Sequence, residues 1–142
     1  ARGIRVVTDL SMNDIDLAQA DMIVLPGGMP GTTNLYADKR VTSAVRAMYD
    51  AEKYVAAICA APSDILGGMG LLKGRRATCY PGMEDGMEGA EAVPATCVTD
   101  GKIITACGVG GALDFACALI TALISREKAD EIALSVVYHA AN

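Results

Sequence analysis

Among the residues able to do chemistry, Cys59 has the most suggestive setting. It closes the run Y-V-A-A-I-C-A-A-P over residues 54–62, where strand-like apolar residues give way to small ones and then to Pro62. Ala60 and Ala61 fit a tight strand-to-helix turn, and proline suits the first turn of a helix, where its missing N–H costs nothing. A thiol at such a junction lies near the positive end of a helix dipole, which favours the nucleophilic thiolate. The arrangement is that of a nucleophile elbow without its flanking glycines. The plainer reading is a cysteine packed as a small hydrophobe at the end of a buried strand, and the pattern alone leaves both open.

A second stretch bears on the same chemistry. Pro26-Gly27-Gly28-Met29-Pro30-Gly31 is a turn whose residues permit unusual backbone angles and close approach of main-chain amides to a ligand, so it reads as an anion or oxyanion cradle or as a merely tight loop. The loop over residues 83–92 carries Glu84, Asp85, Glu88 and Glu91, candidates for acid–base work whose bland reading is a solvated loop. Cys107-Gly108-Val109-Gly110-Gly111 invites a dinucleotide reading, yet Leu113 occupies the place of the third spaced glycine, and a plain tight turn is favoured. His139 is the single histidine. It falls near the end of the last predicted helix, where a solvated or capping role is favoured over a catalytic base, which argues against a Cys–His pair.

The elements that must position these residues follow from periodicity. Residues 4–8 read as a short strand, 9–20 as a polar loop, and 21–25 as a strand buried on both faces of a parallel sheet. Val41, Ala44, Val45 and Met48 recur at helical spacing within an amphipathic helix over residues 34–53. That helix delivers the chain to the strand 54–58 and completes a β-α-β unit. The glycine turn and the cysteine turn then share the carboxyl edge of the sheet, where ligands of open α/β folds bind. Downstream the pattern predicts a helix opened by Pro62 and carrying Ile65 and Leu66, then a strand over 76–79. A hairpin follows, with strands at 93–98 and 103–106 turning at Asp100-Gly101. A helix over 112–124 keeps Leu113, Ala116, Cys117, Ile120, Ala122 and Leu123 inside, and a last helix over 126–139 buries Ala129, Ile132, Ala133, Val136 and Val137. No repeat, linker or low-complexity tract divides the chain, and 142 residues suffice for one domain with a real core.

Composition narrows the partners. A net charge of −5 with no basic block and no aromatic–cationic interleaving disfavours a nucleic-acid surface. The longest apolar stretch is interrupted by Asp114 and too short for a membrane span. Five cysteines, an odd number without C-x-x-C spacing, argue against a disulfide framework and against a zinc site, and fit a reducing cytoplasm. No metal and no cofactor is expected, and small molecules or proteins are the expected partners.

D-M-I-V-L-P-G-G-M-P-G, A-A-I-C-A-A-P, G-V-G-G-A-L-D-F and the closing S-R-E-K-A-D-E-I-A, in this order, resemble the ThiJ/PfpI family, which includes the parkinsonism-associated protein deglycase, and within it the YajL-like branch. The resemblance spans essentially the whole chain. It implies an α/β fold, a flavodoxin-like three-layer sandwich with a mostly parallel sheet, and a homodimer. It makes Cys59 the nucleophile and redox-sensing thiol, with the main-chain amides of Gly28 and Ala60 stabilising an oxyanion. Gly27, Met29 and Pro30, Tyr80 and Pro81, and Gly108 and Gly110 are the expected binding residues. The activity implied is a cofactor-independent glyoxalase or deglycase acting on reactive aldehydes or on protein or nucleotide adducts. The alternatives are a non-catalytic redox sensor or chaperone-like holdase with an oxidisable Cys59, and, more weakly, a nucleotide-binding module at Gly108–Gly111.

Two departures from the family pattern accompany this. Family members begin with a strand, a turn carrying a glutamate that hydrogen-bonds the elbow cysteine, and a helix, and nothing before Ile4 supplies them. The expectation is that residues 1–142 are the C-terminal three-quarters of a family domain lacking its N-terminal portion, belonging to a longer protein or completed by a separate N-terminal fragment. Where many branches place a histidine beside the cysteine, this chain has Ala60 and the Tyr80-Pro81 pair, which disfavours a Cys–His protease.

Overall fold

The computed structural model describes residues 3–139. In chain order its strands are β1 (Met22–Leu25), β2 (Tyr54–Ile58), β3 (Arg76–Ala77), β4 (Glu91–Ala92), β5 (Cys97–Asp100) and β6 (Ile103–Ala106). Its α-helices are α1 (Gly31–Ala37), α2 (Lys39–Asp50), α3 (Ala112–Leu123) and α4 (Arg126–Ser135). The main sheet has the order β1-β2-β6-β5, parallel except for β5, which runs antiparallel to β6. β3 and β4 form a small parallel ladder of their own.

Strand alternation divides the core into two layers. Ile23 and Leu25 of β1, Val55 and Ala57 of β2 and Ile103 of β6 face the larger layer with Val41, Val45 and Met48 of α2, together with Ile65, Leu66 and Leu72. Met22, Tyr54, Ala56, Ile104 and Ala106 face the other way, against Phe115, Ala118, Leu119 and Ala122 of α3. Because β2 is hydrogen-bonded on both edges and covered on both faces, Val55, Ala56 and Ala57 are fully buried, which is why its sequence is a continuous apolar run. The expected double burial of β1 is not met. It is the outermost strand, α3 packs over β2, β6 and β5, and Val24 on that face is 45% exposed.

Other expectations are corrected in instructive ways. Residues 4–8 form no strand, and Ile4, Val6 and Val7 are exposed: apolar alternation marks extended backbone, but a strand exists only through a ladder, and no described residue lies beside them to form one. The single helix over 34–53 is two, because Asp38 adopts an extended conformation and its carboxylate accepts the Arg40 N–H at 2.9 Å, capping α2. The predicted inward face, Val41, Ala44, Val45 and Met48, is buried. The strand over 76–79 shrinks to β3, off the main sheet. The chain beyond it is tied to β6 by the Thr78 N–H donating to Thr105 Oγ1 at 3.0 Å. The Asp100-Gly101 hairpin stands, with Asp100 opposite Ile103 and Gly101 at φ +59°, although β5 begins at Cys97.

The inward face of α3 is the clearest miss. Leu113 and Leu123 are about half exposed and Ala116 is exposed; of the expected residues Cys117, Ile120 and Ala122 are partly buried, and the buried Phe115, with Ala118 and Leu119 beside it, is the face that periodicity did not pick. A helix whose residues are almost all apolar shows no unambiguous stripe, and the largest side chain decides which i, i+3, i+4, i+7 set turns inward. Helix α4 stops at Ser135, and Val136 and Val137 are exposed, while Ala129 is buried. In the full-length protein Phe115→Ala should lower the unfolding free energy by about 3–5 kcal/mol, whereas Leu113→Ala should change it by no more than about 0.5 kcal/mol. Urea titrations followed by circular dichroism check both, and equal losses would refute this assignment of the buried face.

Candidate functional site

Cys59 sits at the carboxyl end of β2 with φ at +68°, a left-handed conformation that L residues seldom adopt. Its N–H donates to the Ala106 carbonyl at 2.9 Å and its carbonyl accepts the Tyr80 N–H at 2.8 Å, so the strained residue is fixed between the end of β6 and the loop after β3. Such strain costs on the order of 1–3 kcal/mol and persists only where surrounding structure imposes it. Here the two hydrogen bonds impose it, and Gly27 leaves the room it needs. A Cβ on Gly27 would stand 2.5 Å from the Cys59 Cβ and 2.8 Å from the Ile58 carbonyl oxygen, a collision with backbone that cannot yield. The glycine turn is therefore pressed directly against the elbow.

Gly28 follows at φ +91°, its carbonyl accepting both the N–H of Thr32 at 2.9 Å and the Thr32 hydroxyl at 3.1 Å, which fixes the start of α1. Ala60 is buried beside the elbow, and its carbonyl accepts the Asp64 N–H at 2.9 Å. Among the described residues, neither the Gly28 nor the Ala60 amide donates a hydrogen bond to another group. From the opposite side comes Gly108, where a Cβ would lie 4.0 Å from Cys59 Sγ and 3.5 Å from Tyr80 Cδ2. The structure thus gathers Gly27, Tyr80 and Gly108 around the half-buried thiol. Met29 and Pro30 stand exposed on the glycine turn, and Pro81 is exposed next to Tyr80. Gly110 faces open space, and Gly111 is a glycine because a Cβ there would lie 2.5 Å from the Thr96 carbonyl oxygen. Close packing thus accounts for Gly111.

The helix expected to open at Pro62 is a six-residue π-helical turn, Pro62–Gly67. Its burial of Ile65 and Leu66 anchors the elbow, but so short a segment carries little dipole to favour the thiolate. His139 is exposed and lines a separate groove of about 980 Å³ with Tyr54, Asp114, Cys117 and Tyr138, away from Cys59.

Sequence reasoning passed over the wall behind the elbow. A cavity of about 470 Å³ is lined by Cys79 and Pro81, which flank Tyr80, by Cys107, which precedes Gly108, and by Thr78, Glu84, Met87 and Val93. Burial, reinforced by the Glu84 and Asp64 carboxylates and by Cys59, pushes the Cys79 thiol up to about 11. Burial, then Asp114 and Cys107, does the same for Cys97, also to about 11. Glu84, named above as an acid–base candidate, is exposed as the solvated-loop reading expects, and it also lines this cavity, which no local pattern reports.

A mostly parallel α/β sheet with a strained cysteine elbow at its carboxyl edge, facing a glycine turn, defines a class of protein arranged around one thiol. The chain belongs to the DJ-1/PfpI family, whose model matches residues 1–122, and the architecture is the flavodoxin-like one of that family. It is 39% identical over 138 residues to the DJ-1 homolog A of Arabidopsis thaliana, covering 92% of this chain and 34% of that protein. It is 38% identical over 106 residues to a deglycase of Pyrococcus horikoshii, covering 72% of this chain and 62% of the deglycase. The chain thus spans about a third of the Arabidopsis relative. The oxidised form of DJ-1 from Toxoplasma gondii superposes with a TM-score of 0.91 at 31% identity, covering 98% of this chain and 76% of that one.

The buried Cys79 makes a pH prediction. A group whose folded-state pKa is raised contributes stability that is complete below its unfolded value and is lost as pH rises through the folded value. Stability should therefore fall as pH rises from about 9 towards about 11, and the fall should be shallower in Cys79→Ser. Denaturant midpoints at three or more pH values in that window check it, and parallel slopes would show that Cys79 is not held protonated.

Proposed function

We propose that Cys59 is the nucleophile of a cofactor-independent glyoxalase or deglycase site acting on reactive aldehydes or their adducts. The observation that carries the reading is the strained elbow: Cys59 at φ +68° with Gly27 packed against it and Gly108 leaving its Sγ uncovered. In the proposed chemistry the Cys59 thiolate adds to the aldehyde carbonyl carbon and the carbonyl π-bond electrons move to oxygen, giving a hemithioacetal oxyanion. The undonated amides of Gly28 and Ala60 are assigned to that oxygen, a role that needs only backbone and therefore tolerates small residues. The proton that the oxyanion takes up is assigned to the glutamate expected from the family pattern. Membership of a family that includes the Pyrococcus deglycase supports the reaction class, and a homodimer is proposed with it.

A second reading, a redox sensor or holdase, is favoured by the contrast between a half-buried Cys59 and a buried Cys79 held protonated. Hydrogen peroxide would convert the Cys59 thiol first to the sulfenic and then to the sulfinic acid, each step transferring one oxygen and releasing one water. The Toxoplasma relative is known in an oxidised form.

In the full-length protein Cys59→Ser should lose methylglyoxal consumption by at least about a hundredfold, read as disappearance of the dicarbonyl. Turnover retained in that variant would sink the covalent mechanism. Under the second reading, the unmodified protein turns over no aldehyde, and peroxide adds two oxygens by intact mass that the Cys59→Ser variant does not take up.

A further inference from the structure

We infer that the cavity behind the elbow selects substrates by charge, with Glu84 as its specificity-determining residue. It receives the non-reacting end of a carbonyl compound or adduct when that end is an aliphatic stem carrying a positive charge. The inference rests on the reading of Cys59 as the reacting thiol.

Two independent segments tie the wall of the cavity to the elbow, although Cys59 itself does not line it. Tyr80, whose N–H is bonded to the Cys59 carbonyl, is flanked by the lining residues Cys79 and Pro81. On the other segment, Cys107 lines the cavity and adjoins Gly108, the residue whose missing side chain uncovers Cys59 Sγ. At about 470 Å³ it has the size of a small-molecule site. Met87, Val93, Pro94 and Ala95 give it apolar walls suited to a methylene stem.

Its charge is one-sided. Glu84 is the only ionisable acid or base of ordinary charge among the lining residues, with no Lys, Arg or His. Its Oε2 accepts the Gly82 N–H at 2.8 Å, which fixes the carboxylate, and among the described residues no side chain donates to its Oε1. The Asp64 carboxylate adds to the same negative field, which is felt at the buried Cys79 thiol. A phosphate or carboxylate entering here would meet like charge and no compensating cation, whereas an ammonium or guanidinium would meet a held carboxylate oxygen. Nucleotide adducts and anionic aldehydes are thereby disfavoured at this site, and adducts of cationic amines or guanidines are favoured.

Charge-selective thiol reagents test this without turnover. The full-length protein is treated with trimethylammonioethyl, sulfonatoethyl and methyl methanethiosulfonate. The rate at Cys59 is read by peptide mass spectrometry, each rate divided by that of free cysteine. The cation-to-anion ratio at Cys59 should exceed one. It should fall by about three- to tenfold in Glu84→Gln, the size of one unit charge acting over several ångströms near a protein surface. Glu84→Asp, which keeps the charge, and Glu88→Gln, on the same loop but outside the cavity, should leave it unchanged. A wild-type ratio of one or below, an unchanged ratio in Glu84→Gln, or an equal fall in Glu88→Gln would overturn the proposal. Methylglyoxal consumption, measured separately, reports whether the underlying thiol chemistry stands, so the two failures are distinguishable.

Discussion

The left-handed backbone at Cys59 is the constraint on which the rest of the site depends. A residue in that conformation relaxes unless both of its peptide groups are held. Here the N–H is tied to Ala106 and the carbonyl to Tyr80. The first tie continues the β2–β6 register past Ile58, and the second comes from the loop after β3. Small residues complete the arrangement. Ala56, Ala57, Ala60 and Ala61 are essentially buried and let the layers close tightly enough for Gly27 to touch the elbow. The alanine-rich composition is thus tied to function through packing: bulkier residues at these positions would separate the glycine turn from the cysteine turn.

Much of this was legible in the sequence wherever local pattern and tertiary need coincide. The β2 run, the buried stripe of α2 and the Asp100-Gly101 turn are fixed by short-range chemistry; the run and the stripe appear where periodicity places them, and the hairpin turns where expected with its first strand shifted to Cys97–Asp100. Where the sequence misleads, a long-range fact decides. The alternation at Ile4, Val6 and Val7 reads as a strand, but no pattern within five residues reports whether a partner strand lies beside it. The apolar surface of α3 admits several inward faces, and only the sheet selects Phe115. Asp38 looks like one more solvated residue of an amphipathic helix until its carboxylate is seen to cap the next one.

The site shows the same division. Cys59 and the glycine turn were readable because an apolar run, small residues and glycines must occupy fixed places to make two turns at one sheet edge. What glycine is for was less readable. Gly27 and Gly28 look alike in the sequence, yet one is needed because a side chain would strike Cys59 and the other because its φ is +91°. Gly111, which resembles part of a nucleotide fingerprint, is needed by the Thr96 carbonyl. Identical residues thus answer to three different constraints, and only the neighbours tell them apart.

Among five cysteines the fold also makes chemical distinctions that composition cannot. Cys79 and Cys97 are pushed up to about 11 by burial first and by nearby carboxylates next, so at neutral pH the thiolate is a negligible fraction at either. The carboxylates that help suppress Cys79 line or adjoin the space beside the elbow. One negative field therefore bears on both thiols: added to burial, it disfavours the thiolate at Cys79, and under the inference above it selects the charge of what approaches Cys59. In the proposed chemistry, the silencing of Cys79 and Cys97 leaves Cys59 as the reacting thiol as much as the exposure of the elbow does. The Glu84 side chain, held by Gly82, joins these two effects in one group.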